Sequence, residues 1–320
     1  MRKKEYMLVR KHLNFSRRWG PSLAVLLLNT GLFTAGITLA QADFWGATVL
    51  AIALLAFAMN QAYLVVHECA HNTFLPTTLA NTLVGNLYGG LALIPFLARK
   101  QEHTKHHLWT GNVEHEPSTK RGMEAFLKQT VWQRLVLQVA WKTGLPIFSG
   151  LEVVSLWRLG LRPRADLRLA IPHLGSNAIA LAGIVGLLWL LQGQLALFLA
   201  SALFYLFLVE FFNLPHHLDS EVYDGDQKAP LWEHDRFSQS GQAIPIISQV
   251  YLLNFNYHVE HHFYPGLPWH QLPKAHKGLA NAAPDQLPDS HSEWRWLIQQ
   301  RSQSADTVFA KYHEFNRRRA

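Results

Sequence analysis

The stretch FWGATVLAIALLAFAMNQAYLVVHECAH, residues 44–71, decides how the rest of the chain is read. From Phe44 to Val66 it holds no charged residue, and at about 20 residues per crossing it is long enough to span a bilayer as a helix. It then runs without a break into His67-Glu68-Cys69-Ala70-His71. Residues four apart share a helix face, so both imidazoles point the same way. An apolar span therefore ends in a pair of potential metal ligands.

Working outward, Pro21 to Ala40 is a second uncharged run, separated from the first only by Gln41-Ala42-Asp43, which predicts a tight helical hairpin. A second hairpin is predicted from Ile171–Leu191 and Gln194–Leu214, joined at Gln192-Gly193. Glu210, near the end of the last run, is placed to be wet or to face a polar cap. Between the pairs, 83–97 is apolar but short, and it contains Gly85, Gly89, Gly90 and Pro95. That length predicts an interfacial or re-entrant helix and not a crossing. Residues 124–160 mix Trp132, Trp141 and Trp157 with Arg134, Lys142 and Arg158, as do helices lying on a membrane surface or packed against the cap. The basic residues 1–18 lack the apolar core of a signal peptide and read as a retained arm.

Composition agrees with a membrane anchor carrying a polar cap: of 320 residues 49% are hydrophobic, 16% charged and 12% aromatic, with 11 Trp. The net charge of +7 suits an anionic lipid surface, and the apolar runs favour that partner over nucleic acid. Of the 29 Lys and Arg, seven precede Pro21, twelve lie between Arg99 and Arg168, and ten follow from Lys228. Neither short turn carries one. The positive-inside rule then places both termini and the central segment in the cytoplasm. The expected fold is all-α and integral to the membrane: one domain over 1–320, with spans at 21–40, 44–66, 171–191 and 194–214. A helical cytoplasmic cap of residues 67–170 and 215–320 would hold a di-metal site.

The single cysteine, Cys69, excludes an internal disulfide and a cysteine-ligated cluster, so a metal must be held by nitrogen or oxygen. Cys69 itself reads as a small packing residue. The unusual count is 18 histidines. Beyond HECAH they form His103-Thr104-Lys105-His106-His107 and His258-Val259-Glu260-His261-His262, both HxxHH. Adjacent histidines on a helix diverge by about 100°, which suits two neighbouring metals better than one. Eight imidazoles are too many for one tetrahedral ion; zinc, copper, iron and nickel all accept such ligands. The first two clusters can share a site only if 83–97 does not cross.

A further pair, His216-His217, ends the fourth run as His67 ends the second. In this reading one of the pair supplies a ninth ligand, His216 before His217, and the other stands beside it. Acceptors for the free imidazole nitrogens are sought among Glu68, Glu102, Glu114, Glu116, Asp219, Glu260 and Asn256. His115 and His270 lie close enough to the motifs to join them; His12, His173, His234, His276, His291 and His313 read as ordinary. A histidine-rich metal transporter would place ionisable groups inside its spans, and 21–40 and 44–66 have none.

HECAH, HTKHH and HVEHH in this order, followed by Phe263-Tyr264-Pro265-Gly266 and His270-Gln271-Leu272-Pro273, resemble the membrane fatty acid desaturase superfamily from about Asn60 to Pro273. The resemblance implies two irons, O2 as co-substrate, and attack on an unactivated C–H bond of a long lipid. It carries metal-ligand roles onto His67, His71, His103, His106, His107, His258, His261 and His262, with His216 as the ninth and no catalytic residue beyond these ligands. His258 stands where front-end desaturases carry Gln, and no His-Pro-Gly-Gly haem motif occurs. Electrons are therefore expected from a separate ferredoxin or cytochrome b5-like donor. Hydrogen abstraction from a methylene in a dry tunnel would be followed by a second abstraction, giving an alkene, or by return of hydroxyl, giving an alcohol. Leu214-Pro215-His216 also resembles carotenoid ketolases, which keeps a hydroxylase or ketolase as the alternative.

Overall fold

A computed structural model describes residues 1–127, 129–285, 290 and 292–319. Among them there is no β-strand; Asn112 and Tyr223 form an isolated bridge. The helices are α1 (Lys3–Lys11), α2 (Trp19–Ala40), α3 (Trp45–Ala70), α4 (Thr78–Leu91), α5 (Phe96–Trp109), α6 (Pro117–Leu127), α7 (Val131–Thr143), α8 (Ile147–Leu161), α9 (Leu167–Leu190), α10 (Leu195–His217), α11 (His258–Phe263), α12 (Leu272–Ala282), α13 (Glu293–Ser302), α14 (Ala305–Val308) and α15 (Ala310–Arg319).

Four of them, α2, α3, α9 and α10, are long and apolar enough to cross a membrane. They form the two hairpins expected from the apolar runs. The α9–α10 turn is closed by Gln192 and Gly193, both in left-handed backbone, which glycine adopts without a Cβ penalty. Gln194 donates to the Ala40 carbonyl and Gln41 to the Leu190 carbonyl, so the two hairpin turns lie side by side. Helix α3 is central: 67% of its apolar stretch is buried inside the protein, against 28% for α2 and 22% for α9. Every residue of α3 from Ala58 to Ala70 is buried, so that part of the helix has neighbours all round, and the outer helices leave one side free.

The 83–97 region is divided between α4 and α5, which meet at 105°. At about 1.5 Å per residue neither 14-residue helix reaches through a hydrocarbon layer of about 30 Å. Pro95 and the left-handed Leu93 make the corner. Gly85 and Gly89 make room for it, because a Cβ on Gly85 would clash with the Phe96 ring. The chain thus returns to the end of the bundle it left. Over 124–160, α7 exposes Val131, Trp132, Leu135, Val136 and Val139 while Ala140 and Trp141 are buried on its other side.

The polar parts gather at the end opposite the hairpin turns. Tyr6 of α1 stacks on Tyr264 at 4.8 Å and donates to the Phe263 carbonyl, pinning the N-terminal helix beside α11. Glu210 is buried and faces the cap, though not its histidines: it pairs with Arg301 of α13 at 3.0 Å and accepts from the Phe148 and Ser149 amides at the start of α8.

Candidate metal centre

The end of α3 carries His67, with His71 as its capping residue; α5 brings His103, His106 and His107; α11 brings His258, His261 and His262. With the end of α10 they form two adjoining groups. Ring nitrogens of His67, His71, His103, His107 and His261 lie within 4.8 Å of one another, and so do those of His106, His217, His258 and His262. Each HxxHH is split between the groups, as the 100° turn between adjacent helical residues requires. The groups touch where the His107 ring stacks on His262 at 4.3 Å.

The nitrogens converge closely. His71 Nε2 lies 2.7 Å from His103 Nε2, His107 Nε2 is 3.0 Å from His261 Nε2, and His217 Nε2 is 2.8 Å from His258 Nε2. Partners on the far side of several rings set which nitrogen holds the proton. His67 Nδ1 faces Glu68 Oε1 at 3.2 Å, His106 Nδ1 faces Glu116 Oε1 at 3.0 Å, and His217 Nδ1 faces the Phe237 carbonyl at 2.9 Å. Each Nδ1 therefore donates outward and each Nε2 turns a lone pair into the group. His67 Nε2 is buried with no hydrogen-bond partner, a state a bound cation would relieve.

Electrostatics point the same way. Burial, reinforced by neighbouring imidazoles, pushes His258, His261 and His262 well below the usual histidine range, so they stay neutral as ligands must. Burial alone would raise the Glu116 carboxyl. Hydrogen bonds from His106, Thr119 and Ser118 outweigh it and hold the group below the ordinary carboxylate range, ionised against His106. A donor set of imidazoles alone, without thiolate, fits iron, zinc, copper or nickel.

The structure differs from the sequence expectation at the end of α10. His217, and not His216, enters the four-histidine group. His216 is turned about 100° further round the helix, where its Nδ1 donates to the Gln239 carbonyl at 2.9 Å and its ring stacks on His258 at 4.4 Å. Among the expected acceptors, Glu68 and Glu116 take up ring nitrogens of the groups. Glu260 instead accepts from Ser240 Oγ at 2.8 Å and His276 Nδ1 at 2.6 Å, so it ties α11 to α12. The Asn256 amide is buried with no hydrogen-bond partner. Glu102 pairs with Arg121 at 2.5 Å, and Asp219 accepts from Trp296 and Gln300. The His115 ring lies tilted against Trp109 and pairs with Asp226, and His270 meets Gln271. His291 and the side chain of His313 lie outside the described residues.

Two features escaped the sequence reading. One helical turn before His103, buried Arg99 pairs with Glu152 of α8 at 2.7 Å and lies over the Tyr63 ring, itself one turn before His67. The ion pair braces α5 against α8 below the site, and the Tyr63 hydroxyl, which donates to Glu152 at 3.3 Å, joins α3 to it. Its signal was available, since Glu152 is the one acidic residue between Val131 and Leu161. The other is Phe255, whose ring meets His67, His216 and His258 at 4.9–5.3 Å and walls the centre on the bundle side.

Residues 43–294 match the family model described as fatty acid desaturase. The chain belongs to the fatty acid desaturase family. It is 24% identical over 86% of its length to a "Fatty acid desaturase" of Bacillus subtilis (strain 168), covering 81% of that protein. It is 26% identical over 69% of its length to the "sn-1 oleoyl-lipid 12-desaturase" of Synechocystis sp., covering 65% of it. A third relative, the "sn-1 acyl-lipid omega-3 desaturase (ferredoxin)" of Synechocystis sp., is 24% identical over 81% of the chain and 74% of the relative. As a member of this family the chain is an oxidoreductase, and its four apolar helices make it an integral membrane protein.

Proposed function

We propose that this desaturase-family protein is an O2-dependent di-iron enzyme that introduces a double bond into a fatty acyl chain held in a membrane lipid or on an acyl carrier. The observation that carries the reading is the division of nine histidines into groups of five and four at one end of four apolar helices. In this reading His67, His71, His103, His107 and His261 hold one iron, and His106, His217, His258 and His262 the other. The iron pair, when bound, supplies the activation of O2 and the oxidising power that breaks an unactivated C–H bond. The chain's own part is positional. Glu68, Glu116 and the Phe237 carbonyl fix the ligand rings, Arg99 and Glu152 brace α5 against α8, and Phe255 keeps the bundle side apolar. A methylene set beside the centre within ångströms is what separates desaturation from hydroxylation.

The distribution of Lys and Arg supports a cytoplasmic centre. A relative whose name includes ferredoxin supports a separate one-electron donor for this chain, and the relatives named as acyl-lipid desaturases favour an alkene over an alcohol or ketone product. Lipid profiling of cells with and without the gene, grown with and without O2, tests the reading. A new acyl double bond that needs both gene and O2 is expected. Unchanged acyl lipids with hydroxylated or ketolated pigment would transfer the site to the alternative chemistry.

A further inference from the structure

Residues 237–259 contain no Lys, Arg, Asp or Glu, although they lie in the part of the chain that the sequence reading assigned to the polar cap. The structure lays part of this run against the middle of α3. Gln61 Nε2 donates to the carbonyls of Val250 and Tyr251 at 3.2 and 3.4 Å. Asn60 donates to the Tyr251 hydroxyl at 3.0 Å, and that hydroxyl donates to the Phe57 carbonyl at 3.1 Å. The Tyr251 and Phe57 rings meet edge to face at 5.6 Å. Gln61 precedes His67 by about 9 Å along the helix axis, and Phe57 lies deeper, near the midpoint of α3. The segment therefore reaches the depth of the acyl chains.

Its outward side chains suit that depth. Ile244, Ile246, Ile247 and Val250 are exposed, Ile246 to 75%. Its backbone is irregular, a single π-helical turn over Ile247–Tyr251 with left-handed residues at Ile246, Leu253 and Asn254. Irregular backbone survives at membrane depth only when its polar groups are satisfied by the protein. Here Ile247 N, Ser248 N, Val250 N and Leu252 N bond to nearby carbonyls, Ile244 N donates to Ser248 Oγ, and Gln61 donates to two carbonyls, while the Gln249 side chain is left exposed. Gln61 is in turn held by Asn29 of α2 at 3.2 Å, which accounts for two amides buried within the spans.

We propose that residues 244–251 are a further membrane-embedded element beside the four spans, whose exposed isoleucines and valine contact lipid acyl chains. The element is re-entrant and joins the acyl layer to the metal centre, because the chain leaving it carries Phe255 onto His67 and His258. It depends on α3 being a span and not on the reaction catalysed.

The test uses full-length protein carrying Ile246→Cys or Ile247→Cys, labelled with bimane and reconstituted into phosphatidylcholine vesicles. Native Cys69 is buried, so the unlabelled background is the parent chain. Gln227→Cys, on an exposed cap loop, is the water-facing control. Emission at both isoleucine positions should be lost with a nitroxide on the lipid acyl chain and kept with aqueous iodide, the reverse of Gln227→Cys. Quenching by iodide alone would overturn the proposal. Quenching by neither, with cross-linking between Ile246→Cys chains, would also overturn it and assign the face to a second copy.

Discussion

The Nε2 atoms of His217 and His258 lie 2.8 Å apart, while the neighbouring His216 turns its Nδ1 to the Gln239 carbonyl. One helical step separates the two side chains and gives them different work. His217→Ala should lose about one of two irons per chain and all activity. His216→Ala should keep both irons and lose stability instead, through the stacking on His258. Metal analysis of the purified variants checks this, and equal iron loss in both would contradict the division.

Glu116 orients His106 from outside the four-histidine group. Outer partners of this kind change metal affinity by about 10–100-fold. Glu116→Ala should show a rise of that size in sensitivity to a competing chelator, with helix content unchanged by circular dichroism.

Gln61 satisfies two carbonyls at membrane depth. Gln61→Leu leaves them without this donor, at about 1–3 kcal/mol for each buried group left unpaired. A lowered Tm in detergent is expected, with iron content retained in the material that stays folded.

His276 donates to Glu260 at 2.6 Å, and this hydrogen bond raises the imidazole above its usual pKa. A raised folded-state pKa contributes stability that is fully present below about 6.5 and lost as pH rises through the folded value. The Tm gap between the parent chain and His276→Gln should therefore be widest at mildly acid pH and shrink at alkaline pH. A gap that widens with pH would contradict the pairing.

Much of this was legible in the sequence because it depends on local spacing. The apolar runs gave the four spans, and HxxxH and HxxHH gave eight of the nine clustered histidines, since residues three and four apart must share a helix face. The choice between His216 and His217 was not legible. It turns on the rotation of α10 about its own axis, which packing along the whole helix sets. The 244–251 element was missed because Pro245, Ser248 and Gln249 interrupt its hydropathy, and its fit to the membrane rests on Gln61, far away in sequence. Arg99 and Glu152 likewise meet only once α5 and α8 have packed.

The central claim is two irons on nine histidines, and the most direct measurement is the metal content of active, purified protein, read together with its O2-dependent acyl desaturation. Two irons per chain, with activity lost on chelation and restored by ferrous iron, is the result predicted. One iron per chain, or zinc alone in a preparation that retains activity, would contradict it.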